Sequence, residues 1–162
     1  MIGVSSIAES ILDNPVFVGL SKTEAEELAS HCDILVLPVD RVVFEQDSPS
    51  ESIYVLFRGT LNVSVRDLVG EENVVGQISQ GEVFGEMGVL EAQPRSATTI
   101  TAEDSVLLRI PGTSFTMMVK QGHPAIHRLL QWAIRKSCQR LRDLDVRFDD
   151  LFAKDQLNQE ES

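Results

Sequence analysis

The sequence predicts a mainly β protein: an eight-stranded jelly-roll (double-stranded β-helix) barrel with helices before it and one long helix after it. Three observations lead there. Between residues 34 and 110 the apolar residues fall in short runs separated by turn residues at regular intervals. On both sides of that region the apolar spacing switches to the helical period. One glycine-rich stretch, 81–97, sits between two late strands. The implied organisation is an N-terminal helical segment at 1–30, the barrel at 31–113, and C-terminal helices at 114–162.

Taken in order, residues 4–14 read as a short helix with Ile7, Ile11 and Leu12 on one face, limited by Pro15. Ser21 followed by Glu24 is a capping box, and it starts a helix with Ala25, Leu28 and Ala29 on one side, ending near His31. Strands follow at Ile34–Leu37, Val42–Phe44, Ile53–Phe57, Leu61–Val65, Val74–Ile78, Ala97–Thr101 and Val106–Ile110. A short helix from Pro111 carries Phe115, Met118 and Val119 and stops at Gly122. Pro124 opens the last helix. Its apolar spine, Leu130, Ile134, Leu141, Leu144, Phe148 and Leu151, with Ser137 in the one polar gap, steps by 4, 3, 4, 3, 4, 3. That is a heptad seam of about three repeats, decorated by Arg140, Arg142, Asp143, Asp145 and Arg147. The polar end from Lys154 is expected to fray.

With 25 acidic against 14 basic residues, a net charge of −11, the 162-residue chain is a poor partner for nucleic acid or an anionic membrane surface. Cys32 and Cys138 lie far apart with no metal-type spacing and read as free thiols. No run approaches the ~20 residues of a membrane span, and the N-terminus has no basic region before an apolar one. The expected location is cytoplasmic. His123 and His127 are spaced i,i+4 without the motif of a metal site and read as solvated helix-start residues. No nucleophile–base pair, metal cluster or carboxylate dyad is evident, so a non-enzyme without cofactor or metal is expected.

Residues 81–97 read as an anion site. Gly85 permits a sharp turn and a close ligand approach. The amides of Glu86, Met87 and Gly88 open a short helical turn and lack intrahelical partners, which favours a phosphate. Arg95 adds a permanent planar charge, Ser96 a hydroxyl, and Ala97 an approachable N–H. Glu86 beside a phosphate makes sense if the ligand also offers a hydroxyl, as a ribose does.

Phe84-Gly85-Glu86-Met87-Gly88-Val89-Leu90 followed by Pro94-Arg95-Ser96-Ala97-Thr98 resembles the phosphate-binding cassette of the cyclic nucleotide-binding domain family. That family includes catabolite-activator-type regulators, kinase regulatory subunits and gated channels. The likeness extends over roughly Phe17–Leu151, with Gly59 and Gly81 at its turn glycines. It implies that Glu86 holds the ribose 2′-hydroxyl and Arg95 the cyclic phosphate, and, by position in matching strands, that Val63, Val75 and Gly76 wall the pocket. The heptad seam either buries itself on its own barrel or pairs with a second copy; the resemblance implies the second, with the last helix lying over the base, Arg140, Leu141 and Arg142 as capping candidates and Trp132 as packing. Ser96-Ala97 is compatible with cAMP first and cGMP second. One departure is Glu45-Gln46-Asp47, where the family usually has a central glycine and Gln46 must take the backbone angle. The resemblance implies a stand-alone sensor that signals through an effector protein in trans. The alternative is an interaction barrel that does not need nucleotide.

Overall fold

In a computed structural model of the chain, residues 3–160 are described, with the side chains of the last helix described as far as Val146. The chain divides into two compact units, Met1–Leu129 and Leu130–Ser162.

The first unit opens with helix α1 (Val4–Leu12), a 3-10 turn at Pro15–Phe17 and helix α2 (Lys22–Ser30). The capping box at α2 is complete: Ser21 Oγ accepts from the Glu24 N–H, and the Glu24 carboxylate accepts from the Ser21 N–H at 2.7 Å. The bonds its carboxylate accepts from the Ser21 N–H and from Ser21 Oγ hold the Glu24 carboxyl below its ordinary range. Ile7, Ile11, Phe17 and Leu28 are buried between these helices and the rest of the unit.

Eight strands follow, β1 (Asp33–Leu37), β2 (Val42–Phe44), β3 (Ser52–Arg58), β4 (Thr60–Arg66), β5 (Glu72–Ser79), β6 (Val83–Phe84), β7 (Thr98–Thr101) and β8 (Ser105–Pro111), with helix α3 (Glu86–Glu91) between β6 and β7. They form two antiparallel four-stranded sheets, ordered β1-β8-β3-β6 and β2-β7-β4-β5. Pairing 1 with 8, 2 with 7, 3 with 6 and 4 with 5 is what results when a strip of antiparallel pairs folds over itself, the jelly-roll connectivity. Among the described residues no ladder joins the two sheets edge to edge, so the expected barrel is two sheets sharing one core. That core takes Tyr54, Leu56, Phe84 and Leu107 from the first sheet and Leu61 and Ile78 from the second.

Seven of the strands coincide with the runs of short apolar residues. The eighth, β6, is two residues long and carries no pattern of its own. In the β4–β5 hairpin the partner of Val63 is Gly76 but that of Ser64 is Val74, so Val75 is the extra residue of a bulge. At the hairpin tip the Asp67 carboxylate accepts from the N–H groups of Val69 and Glu71, and these bonds hold its own titration low.

Helix α4 (Gly112–Gln121) buries Phe115 and Met118, whereas Val119 is exposed. Gly122, at φ 67°, ends it. Helix α5 (Pro124–Glu160) runs through the polar end that was expected to fray. Ala125, Ile126 and Leu129 root it in the first unit. In the second unit Ile134, Leu141 and Leu144 are exposed along one stripe, while Phe148 and Leu151 lie outside the described side chains.

Both cysteines are free thiols, Cys138 exposed and Cys32 partly covered. Burial, aided by the neighbouring Asp33 carboxylate, pushes the Cys32 thiol up to about 12. At pH 8 it is therefore neutral and a poor nucleophile. A disulfide reagent at pH 8 is expected to consume one thiol per chain rapidly, with that fast phase lost in Cys138→Ser; two equally fast thiols would contradict this burial.

Candidate functional site

The 81–97 stretch is built around a change of backbone direction. After β6 the chain reaches Gly85, which has φ 72° and ψ 9°, and then enters α3. No side chain caps the start of α3, so its first amides remain open to a ligand. Two glycines here are required by space as well. A Cβ on Gly85 would lie 2.6 Å from Arg95 Nη1, and one on Gly88 would lie 2.7 Å from the Gln93 carbonyl and 2.6 Å from Ser50 Cβ. The helix ends at Ala92, in the left-handed region at φ 53°, which turns the chain toward Arg95.

Arg95 is 4% exposed. Its guanidinium donates through Nη1 to the Gly85 carbonyl and through Nη2 to the Ser52 carbonyl, each at 2.7 Å. The guanidinium carbon stands 4.1 Å from the centroid of the Phe44 ring and 5.7 Å from that of Tyr54, a stacked cation–π arrangement. Phe44, Tyr54 and Phe84 pack mutually at 5.3–6.0 Å between centroids. Burial pulls the guanidinium below its ordinary range, and Tyr54, Glu86 and Glu51 act in the opposite direction. It remains charged at any physiological pH. Its Nε is buried without a partner among the described residues.

Glu86, also 4% exposed, is the first residue of α3. No hydrogen bond from a described side chain reaches its carboxylate; the interaction it makes is electrostatic, with Arg95. The site thus holds a buried carboxylate and a buried guanidinium, the latter with hydrogen-bonding capacity unused at Nε. Burial of such groups is costly until that capacity is met.

The backbone of Arg95 is gripped from the β2–β3 loop. Its N–H donates to the Ser48 carbonyl at 2.9 Å, and its carbonyl accepts from the Asp47 N–H at 2.8 Å. The positive φ of that loop, 66°, falls on Asp47 and not on Gln46. Gln46 is instead laced into the sheet: its N–H donates to Thr98 Oγ1 and its side-chain oxygen accepts from the Arg66 N–H. The absent family glycine is therefore accommodated one residue on, with Gln46 as a link between strands.

The structure brings Phe84, Gly85, Glu86, Gly88 and Arg95 together. Met87 and Ser96 are exposed and Ala97 is half-buried beside them. Val63, half-buried on β4, pairs with Gly76 on one side and Thr99 on the other, just past the cassette. Val75 and Gly76 are exposed on β5. Trp132 is half-covered, with Lys136 over its ring at 5.5 Å, and Arg140 to Arg142 are exposed. The aromatic bed of Phe44 and Tyr54, and the Ser52 carbonyl, were not anticipated from sequence. The histidine expectation needs correction: His123 is buried, because it packs at the root of α5 facing Glu27 of α2.

A family model described as the cyclic nucleotide-binding domain matches residues 34–122, more than half of the chain. The chain belongs to the cyclic nucleotide-binding domain family. Among the similar proteins is the cyclic AMP receptor protein of Thermus thermophilus, 26% identical over 136 residues, covering 84% of this chain and 61% of that protein. The chain therefore spans about six-tenths of that relative's length. The solved Thermus thermophilus catabolite activator protein matches with a TM-score of 0.69 at 27% identity, over 85% of this chain and 62% of that one. A Trypanosoma brucei protein kinase A regulatory subunit, described as cAMP-independent, shares the fold at a TM-score of 0.70 and 19% identity, over 83% of this chain and 47% of its own. The family's members are regulatory ligand-binding modules, and no helix among the described residues is long and apolar enough to cross a membrane.

Gly85 is the position where backbone and site depend on each other most directly. Gly85→Ala puts a Cβ into the left-handed region and against an arginine that two hydrogen bonds hold in place. It is expected to destabilise the protein by about 1–3 kcal/mol, read by urea denaturation. A variant as stable as the parent would mean that Arg95 is free to move aside.

Proposed function

We propose that this protein is a cyclic nucleotide sensor that binds cAMP in preference to cGMP. The observation that carries the reading is a buried carboxylate, Glu86, and a buried guanidinium, Arg95, whose Nε has no partner among the described residues, beside an uncapped helix start. A cyclic nucleotide offers an anion to the guanidinium and a hydroxyl donor to the carboxylate. Its phosphate accepts from the remaining N–H groups of Arg95, from the amides of Met87, Gly88 and Ala97, and from Ser96 Oγ. Its ribose 2′-hydroxyl donates to Glu86. Phe84, Val63, Val75 and Gly76 wall the sugar and base. The preference for cAMP follows the catabolite-activator-type relatives and the Ser96-Ala97 pair, and the expected setting is cytoplasmic.

Calorimetric titration of nucleotide-stripped protein with cAMP and cGMP tests this. Binding at micromolar concentration or tighter is expected, stronger for cAMP. Glu86→Gln, which leaves the bonds of Arg95 in place, and Arg95→Ala should each weaken it, the latter by roughly tens to thousands of fold, the scale of ~2–5 kcal/mol for one partner of a desolvated charge pair. Absence of heat and of thermal shift with either nucleotide on folded protein would overturn the reading.

A second reading has its own support. Arg95 is tied to Gly85, Ser52 and Phe44 without any ligand, so it also serves the architecture. An interaction domain that no longer needs nucleotide would retain it for that reason, and the titration separates the two.

Output is assigned to α5. The exposed stripe Ile134, Leu141 and Leu144 is apolar at heptad spacing, which supports pairing with a second copy and transmission to an effector protein in trans. Light scattering is expected to return the mass of two chains; a strict monomer at high micromolar concentration would exclude that pairing.

A further inference from the structure

His123 immediately precedes α5 and is 6% exposed. With Pro124 in the first helical position, it occupies the N-cap. Its Nδ1 accepts from the Ala125 N–H at 3.2 Å, the bond by which an N-cap side chain satisfies one of the open donors of a helix start. Ala125 is fully buried, so no water replaces that acceptor. An accepting Nδ1 carries no proton, which places the single proton of the neutral ring on Nε2. Nε2 is buried without a hydrogen-bond partner among the described residues and lies 3.5 Å from a Glu27 carboxylate oxygen on α2. That contact is not a hydrogen bond but lies within ion-pair range.

The two protonation states of this ring are therefore incompatible at one end of α5. Neutral His123 caps the helix and makes only a weak contact with α2. Imidazolium has donors at both nitrogens and no acceptor in any ring orientation. It leaves the Ala125 amide unpaired and places a full charge against Glu27. The charged groups around it are Glu27 and Glu24 of α2, both attractive, and Arg128 on α5, which is opposed to a second positive charge but is itself drawn to Glu24. Lys120 is the one charged residue of α4.

We propose that His123 is a proton-operated latch at the root of α5: uptake of one proton exchanges the N-cap of α5 for an ion pair with α2. The first turn of α5 loosens while the imidazolium draws toward α2, so the anchorage of the helix depends on pH. Only the relevance of this to signalling rests on the sensor reading above; the latch itself is independent of nucleotide.

Two NMR measurements on the full chain, without nucleotide, test it. Ring nitrogen shifts report the tautomer and titration of His123, and amide hydrogen exchange reports the Ala125 and Ile126 region over the same pH range. Observed rates are first corrected for intrinsic pH dependence. The expected result is the Nε2–H tautomer at high pH, with corrected exchange at Ala125 rising about fivefold as His123 gains its second proton, the scale of losing one helix cap. In His123→Asn, whose side chain caps without titrating, protection at Ala125 should be retained at all pH values. The latch is refuted if Ala125 protection is unchanged through the His123 titration, if the ring is the Nδ1–H tautomer, or if His123 stays neutral until the protein unfolds. Loss of nucleotide binding would leave all these outcomes readable, and a failed latch would leave the nucleotide titration intact.

Discussion

A cation held away from water dictates much of this molecule. The Arg95 guanidinium is too costly to bury unless its surroundings compensate, and they do so from several parts of the chain at once. β3 supplies the Ser52 carbonyl, the turn before α3 supplies the Gly85 carbonyl, and Phe44 from the other sheet supplies a π face. The β2–β3 loop fixes the Arg95 backbone on both sides. One side chain thereby ties together β3, the cassette and an aromatic element of the opposite sheet. The same arrangement leaves Nε unpartnered beside Glu86, so what makes the arginine structurally integral also leaves it incompletely satisfied.

The second unit obeys a different logic. Residues 125, 126 and 129 of α5 are spent on the first unit, while Ile134, Leu141 and Leu144 lie on a stripe that is exposed within a single chain. The root and the stem of α5 are thus under separate control. Capping chemistry and burial govern the root, whereas the stem carries an apolar stripe exposed in the single chain.

Much of this was legible in the sequence, and the gaps have physical causes. The capping box at Ser21 and Glu24, the stop at Gly122 and the start at Pro124 are local signals and appear where local chemistry places them. The cassette was legible because its glycines answer to steric limits within a few residues. Phe44, Tyr54 and the Ser52 carbonyl were not, because their role depends on a contact spanning the two sheets, and a backbone carbonyl leaves no trace in the alphabet. β6 was too short to show a period. Asp47 rather than Gln46 carries the left-handed angle because the loop is held by bonds to Arg95, which lies far along the chain. His123 was misjudged as solvated since its burial depends on α2, nearly a hundred residues earlier.

The hydrogen bond from Arg95 to the Ser52 carbonyl spans 43 residues of chain. Its formation closes a loop of that length, which encloses the β4–β5 hairpin and costs chain entropy. The groups that define the site therefore meet through non-local contacts. Recognition here is a property of the finished topology, and a fragment ending before β7 would retain much of the scaffold's sequence and none of its specificity.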